Sequence, residues 1–475
     1  MEFLLINPPM TYEKASKKYT YEAYAPALGI LYVAAPLEKR GYKVKIVDFL
    51  AEEFTEKRLS EVISGVDVVG ITVNSYVAEA VSKIADFIKK TRPDVKLIIG
   101  GPHCTIQGKR ALLDINADIS VAGEGEEAIV QIVDALEGKR KLSSIHGVYY
   151  REDGVIKSGL PPKEIEDLDK IDFPSRHLVK DYTYGKDVKG IAFFARGKVT
   201  SIVTTRGCPF NCRFCVIKAM TKKYRMRSAE SVVKELEEIA QGYDSVFIMD
   251  DNFLSDKRRV NAIMDLLIEK KLGLDIWVTG VRVDSAEKKL FKKMKKAGVK
   301  SLLFGIESGS QEVLDFYNKK IDLDSVRRAI TLSSKMGFFT VGNFIIGSPI
   351  EREKHLEATI SFANSLPLDF AYFFVFSYQK GSPLWQEAYE QGKIREDEMH
   401  VESNSLRGLG NFTPEALEEW ITKAYRSFYF SPRFIFSQLF RQMFVYGHFR
   451  IFQAGFKLLF GGEESFLSPA SEESI

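Results

Sequence analysis

The chain has 475 residues, 45% of them hydrophobic and 28% charged, and a net charge of +3. That length is enough for about three domains with large cores, and the near-neutral balance excludes a global electrostatic argument for nucleic acid. Four cysteines in 475 residues, with no signal-peptide pattern at Met1-Glu2-Phe3-Leu4-Leu5-Ile6-Asn7, exclude a disulfide framework and predict a cytoplasmic protein.

Residues 1–140 read as alternating strands and helices. Strands are predicted over Phe3–Ile6, Lys43–Val47, Val66–Val73, Lys96–Ile99 and Ile119–Ala122, and helices over Leu28–Arg40, Ala78–Lys90 and Glu126–Leu136. Strand-length apolar runs between helical patterns predict a parallel α/β sheet, whose ligands sit at the carboxyl ends of the strands. Three loops fall there: Asn74-Ser75-Tyr76, Gly100-Gly101-Pro102-His103 and Gly123-Glu124-Gly125-Glu126. Glycines in such loops either let a backbone approach a ligand or make tight turns, and the residues alone leave both readings open. Cys104 reads as a small buried residue. Residues 141–197 read as a linker dominated by prolines and charges, with a hairpin turn at Arg151-Glu152-Asp153-Gly154.

From residue 198 to 385 strand and helix alternate again. Thr200–Thr204 runs into Arg206-Gly207-Cys208-Pro209-Phe210-Asn211-Cys212-Arg213-Phe214-Cys215, with spacing Cys-x3-Cys-x2-Cys. Three thiolates can hold three irons of a [4Fe–4S] cluster and leave the last open to a ligand. The competing reading is a structural zinc site, which wants four ligands in paired spacings; Cys104 is the only other cysteine, and no histidine lies in the run. An amphipathic helix follows over Ala229–Gln241. The strand Val246–Met249 ends in Asp250-Asp251-Asn252, and a strand from Asp275 precedes Arg282. Ser301–Phe304 leads into Gly305-Ile306-Glu307-Ser308, Phe339–Ile346 into Gly347-Ser348-Pro349, and Phe370–Phe376 closes the series. Six such repeats predict a partial (β/α) barrel with a shared mouth at the strand ends. The residues leave open whether Asp250 and Asp251 meet a ligand or cap a helix, and whether Glu307 meets a ligand or forms a salt bridge.

The last stretch, 386–475, is predicted to be helical. No acidic residue lies between Glu419 and Glu463, while Lys423, Arg426, Arg433, Arg441, Arg450 and Lys457 alternate with Phe428, Phe430, Phe434, Phe436, Phe440, Phe444, Phe449, Phe452, Phe456 and Phe460. No apolar run approaches the ~20 residues that span a bilayer. Two readings stand: a basic aromatic segment on a membrane surface, or a helical cap that closes the barrel. Single-stranded nucleic acid also uses arginines and aromatics, but no RNA-modifying appendage is recognisable, so nucleic acid is not an expected partner.

The cysteine run, with Phe214 before its last cysteine, resembles the radical S-adenosylmethionine (SAM) superfamily. The resemblance implies that SAM chelates the open iron through its methionine amine and carboxylate. An electron from the cluster then splits SAM into methionine and a 5′-deoxyadenosyl radical, which takes hydrogen from unactivated carbon. An external one-electron reductant of ferredoxin or flavodoxin type is implied as a partner. The resemblance also assigns places: Phe214 near the adenine, Asp250, Asp251 and Asn252 where the methionine amine is oriented, and Arg282 at the carboxylate or ribose. Glu307 and Ser308 match a Gly-Ile-Glu-Ser segment that contacts SAM, and Gly347 and Pro349 a Gly-x-Pro turn near the adenine.

Upstream, Ala27-Leu28-Gly29-Ile30, Val44 to Asp48, Val69-Gly70-Ile71-Thr72, Ile99 to His103 and Gly123 to Glu126 resemble the cobalamin-binding domain that precedes the radical core in one large subgroup. Cobalamin proteins with a histidine ligand carry Asp-x-His-x-x-Gly, and no histidine here has an aspartate two residues before it. The resemblance therefore implies cobalamin without a histidine lower ligand, lying over Asn74, Ser75 and Tyr76, with His103 acting through its backbone; Tyr76 reads equally as a plain loop aromatic. The expected architecture is an α/β chain with a Rossmann-like cobalamin-binding domain (1–140), a linker (141–197), a partial (β/α)6 TIM-type radical SAM core (198–385) and a helical C-terminal domain (386–475). The expected reaction is methylation of an sp3 carbon. The alternatives are carbon–carbon bond or ring formation on a lipid or porphyrin, and a non-catalytic cobalamin-binding protein. The aromatic tail points to a hydrophobic, membrane-derived substrate and peripheral membrane contact.

Overall fold

The computed structural model describes residues 1–12, 24–185 and 194–441. The chain divides into two compact units, one of Met1–Val188, Lys198–Ser201 and Ala219–Arg227, the other of Lys189–Gly197, Ile202–Lys218 and Ser228–Ile475.

In the first unit, β1 (Glu2–Asn7), β2 (Lys43–Asp48), β3 (Val68–Thr72), β4 (Lys96–Gly100) and β5 (Ile119–Val121) form a parallel sheet in the order β2-β1-β3-β4-β5. Leu4 and Ile6 pack on one face with Val81 and Ile84 of the helix Ala78–Thr91. Phe3 and Leu5 pack on the other with the helices Leu28–Lys39 and Gly125–Leu136. Burial on both faces is why these strands read as continuous apolar runs rather than as alternation. The strand order reverses between β1 and β3, the place where doubly wound sheets bind ligands.

The segment read as a linker supplies two more strands. β6 (Val148–Glu152) and β7 (Val155–Ser158) form a hairpin about Asp153 and Gly154, and β6 pairs antiparallel with β5, making seven strands in all. Both turn residues have left-handed φ, +51° and +75°, as a two-residue hairpin turn requires. Three α-helices between these strands had no counterpart in the sequence reading: Glu56–Ile63, capped by the Thr55 hydroxyl, which accepts from the Arg58 N–H, Pro102–Gln107 and Ala111–Asp114.

The other sheet has six strands in chain order: Val199–Ile202, Ser245–Ile248, Asp275–Val281, Val299–Glu307, Phe339–Ile346 and Phe370–Val375. From the second strand to the sixth every pairing is parallel. Helices such as Ala229–Ile239, Leu323–Lys335 and Glu353–Ser365 cover its outside. Leu302, Phe304, Ile306, Phe344, Ile346 and Phe373 point to these helices. Their neighbours Leu303, Gly305, Asn343, Ile345, Tyr372 and Phe374 must face the other way, into the interior, and are partly exposed. Elsewhere the interior is filled by Phe247, Trp277, Phe339 and Phe194, whose successive ring centroids lie 5.5, 5.9 and 4.9 Å apart.

The C-terminal region is helical with one short antiparallel pair, Ser377–Gln379 with His400–Glu402. The helix Pro414–Tyr429 covers the sheet's free edge. The Tyr429 hydroxyl bonds both backbone groups of Ala371 (3.1 and 3.0 Å), and that of Tyr425 does the same at Phe373 (3.2 and 3.3 Å). Hydroxyls thus satisfy edge groups that would otherwise template another strand. Pro432–Arg441 is the last described helix, so the expectations for Phe444, Phe449, Arg450, Phe452, Phe456, Lys457 and Phe460 fall outside the described residues. No helix among the described residues is long and apolar enough to cross a membrane.

Candidate active site

The cysteine loop follows the first barrel strand, and Cys208, Cys212 and Cys215 are free, partly exposed thiols. Backbone bonds hold the loop: the Cys215 N–H donates to the Cys212 carbonyl (3.1 Å) and the Arg213 N–H to the Tyr317 carbonyl (2.9 Å). The Asn318 amide donates to the Asn211 carbonyl (2.8 Å), and Arg213 donates to Phe316 O (3.1 Å) and to both Glu387 oxygens (2.9 and 2.7 Å). The loop is therefore shaped by the protein itself. Burial pushes the Cys212 thiol up, partly offset by Lys319 and Arg282, and pushes Cys215 up to about 11. A coordinating iron overrides this, since a metal-bound thiol is deprotonated. Among the described residues, no three His, Cys, Asp or Glu side chains converge as a single ion requires. A cubane asks for something different, one thiolate on each of three irons. Three thiols without a further protein ligand fit such a cluster and do not fit a closed zinc site.

The other strand ends surround this loop with charge. Asp250 is buried and accepts from the N–H groups of Thr204 (2.6 Å) and Thr205 (3.1 Å) and from the Thr204 hydroxyl. It thereby ties the second strand to the start of the cysteine loop. Asp256, not Asp250 or Asp251, caps the next helix, accepting from the Arg259 N–H. Asp251 is exposed yet densely surrounded; loss of hydration and the neighbouring Asp250 push its pKa up to about 6. Asn252 is buried beside them. Arg282 grips Asp284 (2.9 Å) and the Lys319 carbonyl (2.8 Å), and its guanidinium lies 3.6 Å from the Phe210 ring centroid.

Glu307 takes the salt-bridge reading: its Oε1 accepts from Lys319 at 2.5 Å, with both side chains buried. Its φ of +69° is left-handed, a strained place for a non-glycine residue. Gly305 leaves the room, because a Cβ there would lie 2.6 Å from that Oε1. The Lys319 ammonium is also 5.9 Å from the Phe214 centroid, and Phe214 meets Tyr317 edge-on at 5.0 Å. Ser308 is turned inward: its hydroxyl pairs with Thr359 (3.1 Å) and accepts from the Ser310 N–H. That hydroxyl is taken up within the fold rather than offered to a ligand. Gly347 has φ +94°, and its N–H and that of Ser348 donate to Glu351 Oε2, each at 2.7 Å. The Pro349 carbonyl accepts from Asn411 (3.2 Å). Sequence reasoning did not find Lys319, Tyr317 or Glu351. Tyr317 caps the end of the helix Gln311–Phe316, and Lys319 follows in a turn without periodicity, between left-handed residues Asn318 and Lys320. Glu351 had a signal, an acid just past a Gly-x-Pro turn.

In the first unit, the three glycine loops do lie at strand ends. Gly101 follows Gly100, the last residue of β4, and has φ +107°; a Cβ on it would lie 2.9 Å from the Val73 carbonyl, so only glycine lets these loops touch. Pro102 starts the helix Pro102–Gln107, and the His103 N–H donates to that same carbonyl (3.0 Å). His103 is 3% exposed, in keeping with a backbone role. Asn74 Oδ1 accepts from the N–H groups of Tyr76 (2.9 Å) and Val77 (3.2 Å), shaping the turn Ser75–Val77 and leaving Tyr76 61% exposed. Gly123 has φ +94° and donates to the Thr105 hydroxyl (3.0 Å), while Gly125 opens the helix Gly125–Leu136. Glu124 is committed to Arg225 (2.9 Å) and the Ile165 N–H (2.6 Å), which marks it as a brace. A strand-end surface lined by these glycine loops, whose one histidine, His103, is buried, fits a corrinoid that takes no imidazole from His103.

Comparison with known proteins agrees with both halves. The family model described as Radical SAM superfamily matches residues 202–363, and the B12 binding domain matches residues 19–133. The chain is 34% identical to the uncharacterized methyltransferase PH0819 of Pyrococcus horikoshii, over 93% of this chain and 95% of that protein. It is 27% identical to the anaerobic magnesium-protoporphyrin IX monomethyl ester cyclase of Rubrivivax gelatinosus, over 86% of this chain and 75% of that protein. Among solved structures, the radical SAM methyltransferase TsrM of Kitasatospora setae, with cobalamin and a [4Fe-4S] cluster bound, superposes with TM-score 0.67 at 18% identity. That match covers 82% of this chain and 78% of the other, a likeness of fold.

Proposed function

The chain belongs to the cobalamin-binding radical SAM family, and on that premise we propose that it transfers a methyl group to an unactivated sp3 carbon of a hydrophobic substrate. Its cofactors are a [4Fe–4S] cluster, SAM and cobalamin. Bound, they supply a carbon-centred radical and a methyl donor.

The observation that carries the reading is the three-thiol loop, without a further protein ligand among the described residues, set at the ends of barrel strands. Cys208, Cys212 and Cys215 hold the cluster. Arg282 and Lys319 bring positive charge to the same mouth, suited to a carboxylate. Asp251 is the exposed acid on the opposite side of the charge balance, suited to an amine. Leu303, Ile345, Tyr372 and Phe374 line the interior with apolar surface, which excludes water from a radical and supports a hydrophobic substrate. Asn343 is the polar side chain among them.

Methyl transfer is favoured by the end-to-end likeness to a protein named a methyltransferase. Ring formation is the second reading, favoured by the cyclase relative. Anaerobically reconstituted protein, given SAM and a one-electron reductant, is expected to release 5′-deoxyadenosine. Lipid and porphyrin extracts of cells with and without the protein then separate the two reactions. A gain of one methylene supports methyl transfer, a loss of two hydrogens supports ring formation, and failure to cleave SAM overturns both in favour of a non-catalytic cobalamin protein.

A further inference from the structure

Between its first two cysteines the cluster loop runs Cys208-Pro209-Phe210-Asn211-Cys212. This arc belongs to no helix or strand, and Pro209 has no N–H to donate. Groups outside the arc must therefore help to fix its shape.

The Arg282 guanidinium is one of them. It lies 3.6 Å from the centroid of the partly buried Phe210 ring, the separation of a flat cation laid on an aromatic face. Arg282 follows the strand Asp275–Val281 and is 6% exposed. Its Nη2 donates to Asp284 (2.9 Å) and to the Lys319 carbonyl (2.8 Å), and its Nε donates to Asp284 (3.2 Å). A guanidinium held by two residues cannot swing off the ring without breaking those bonds.

The turn that holds Arg282 also grips the loop just beyond Phe210. Asn318 donates to the Asn211 carbonyl (2.8 Å), and the Arg213 N–H donates to the Tyr317 carbonyl (2.9 Å). The Arg213 guanidinium lies 4.5 Å from the Phe316 centroid. Residues 316–319 thus fix residues 211 and 213, and Arg282, bonded to Lys319, fixes the ring of residue 210.

We propose that the stack of Arg282 on Phe210 is a clamp that preforms the Cys208–Cys212 arc for the cluster, with Arg282 as a positioning residue. The proposal rests on the three thiols being the cluster's ligands. A preformed arc loses little conformational freedom when the cluster binds and so retains it longer. The geometry calls for arginine: a lysine at 282 would keep the charge but could neither lie flat on the ring nor hold Asp284 and the Lys319 carbonyl in a fork.

The test follows iron loss from the full-length, anaerobically reconstituted, cobalamin-loaded protein to the ferrous chelator ferrozine after reduction with dithionite. Phe210→Leu removes the ring and Arg282→Lys the flat cation. Each is expected to lose iron about tenfold faster than the wild type, and to broaden the electron paramagnetic resonance signal of the reduced cluster. Phe210→Tyr keeps the stack and should behave as the wild type in both measurements. The iron-free Phe210 variants are expected to melt at the wild-type temperature. The proposal is overturned if Phe210→Leu or Arg282→Lys releases iron at the wild-type rate, or if Phe210→Tyr releases it as fast as Phe210→Leu. It is also overturned if iron-free Phe210→Leu melts lower, because the ring would then serve the fold at large. A wild type that holds no more iron than Cys215→Ala contradicts the cluster reading itself, and this proposal with it.

Discussion

At the residue scale, the mouth is held by buried charges that each satisfy another group. Glu307 and Lys319 pair at 2.5 Å with both side chains buried, and removing one partner of such a pair costs about 3–5 kcal/mol. Lys319→Met is expected to lower the denaturant midpoint accordingly, and Glu307→Gln added to it to restore part of the loss; a Lys319→Met protein as stable as the wild type contradicts this. Glu351 behaves differently. Burial raises its pKa from 4.5 to about 7, so the unfolded chain releases this proton at lower pH than the folded one. Stability from this group is therefore full below pH 4.5 and declines as pH rises toward about 7, by on the order of 3 kcal/mol in total. Glu351→Gln keeps an acceptor for the Gly347 and Ser348 N–H groups and should flatten that decline. Equal pH slopes for variant and wild type in denaturant melts would sink the assignment. At the cluster itself, Cys208→Ala, Cys212→Ala or Cys215→Ala should each abolish 5′-deoxyadenosine formation and reduce bound iron; cleavage that survives after reconstitution refutes the thiols' role.

At the scale of elements, the site depends on strand ends that approach closely. A Cβ on Gly280 would lie 2.0 Å from the Asp250 carbonyl oxygen and 3.0 Å from the Asp251 carbonyl carbon. Gly280→Ala must push the third strand away from the Asp250–Asn252 loop, at a cost of about 1–3 kcal/mol. It should raise the KM for SAM in the cleavage assay, and an unchanged KM would show that this loop does not serve the cofactor. The strands were legible because the first sheet buries them on two faces and the second lines its interior with apolar side chains, so apolar runs stand out, and the polar residues that follow each run mark its end. Of the hairpin Val148–Ser158 only the turn at Arg151 to Gly154 was legible, since β7 buries only Ile156 and carries no run. The helix Glu56–Ile63 was not legible, since it buries only Leu59 and Ile63. Lys319 opposite Glu307, and Arg225 opposite Glu124, are choices made by the folded chain between distant residues, and no local pattern announces them.

At the scale of the whole chain, two cofactor-binding units meet different chemical demands. The first offers glycine-lined strand ends and keeps His103 buried. The second offers three thiols amid fixed charges, above an apolar interior. If methyl transfer is the reaction, protein reconstituted with iron but without cobalamin should form no methylated product. The most direct measurement supplies methyl-deuterated methionine to cells that express the wild type, the Cys215→Ala variant or neither, and follows lipid and porphyrin extracts by mass spectrometry. The account predicts a species that gains a fully deuterated methyl group on carbon with the wild type alone. A species that loses two hydrogens without label, or identical extracts from wild type and Cys215→Ala, would contradict it.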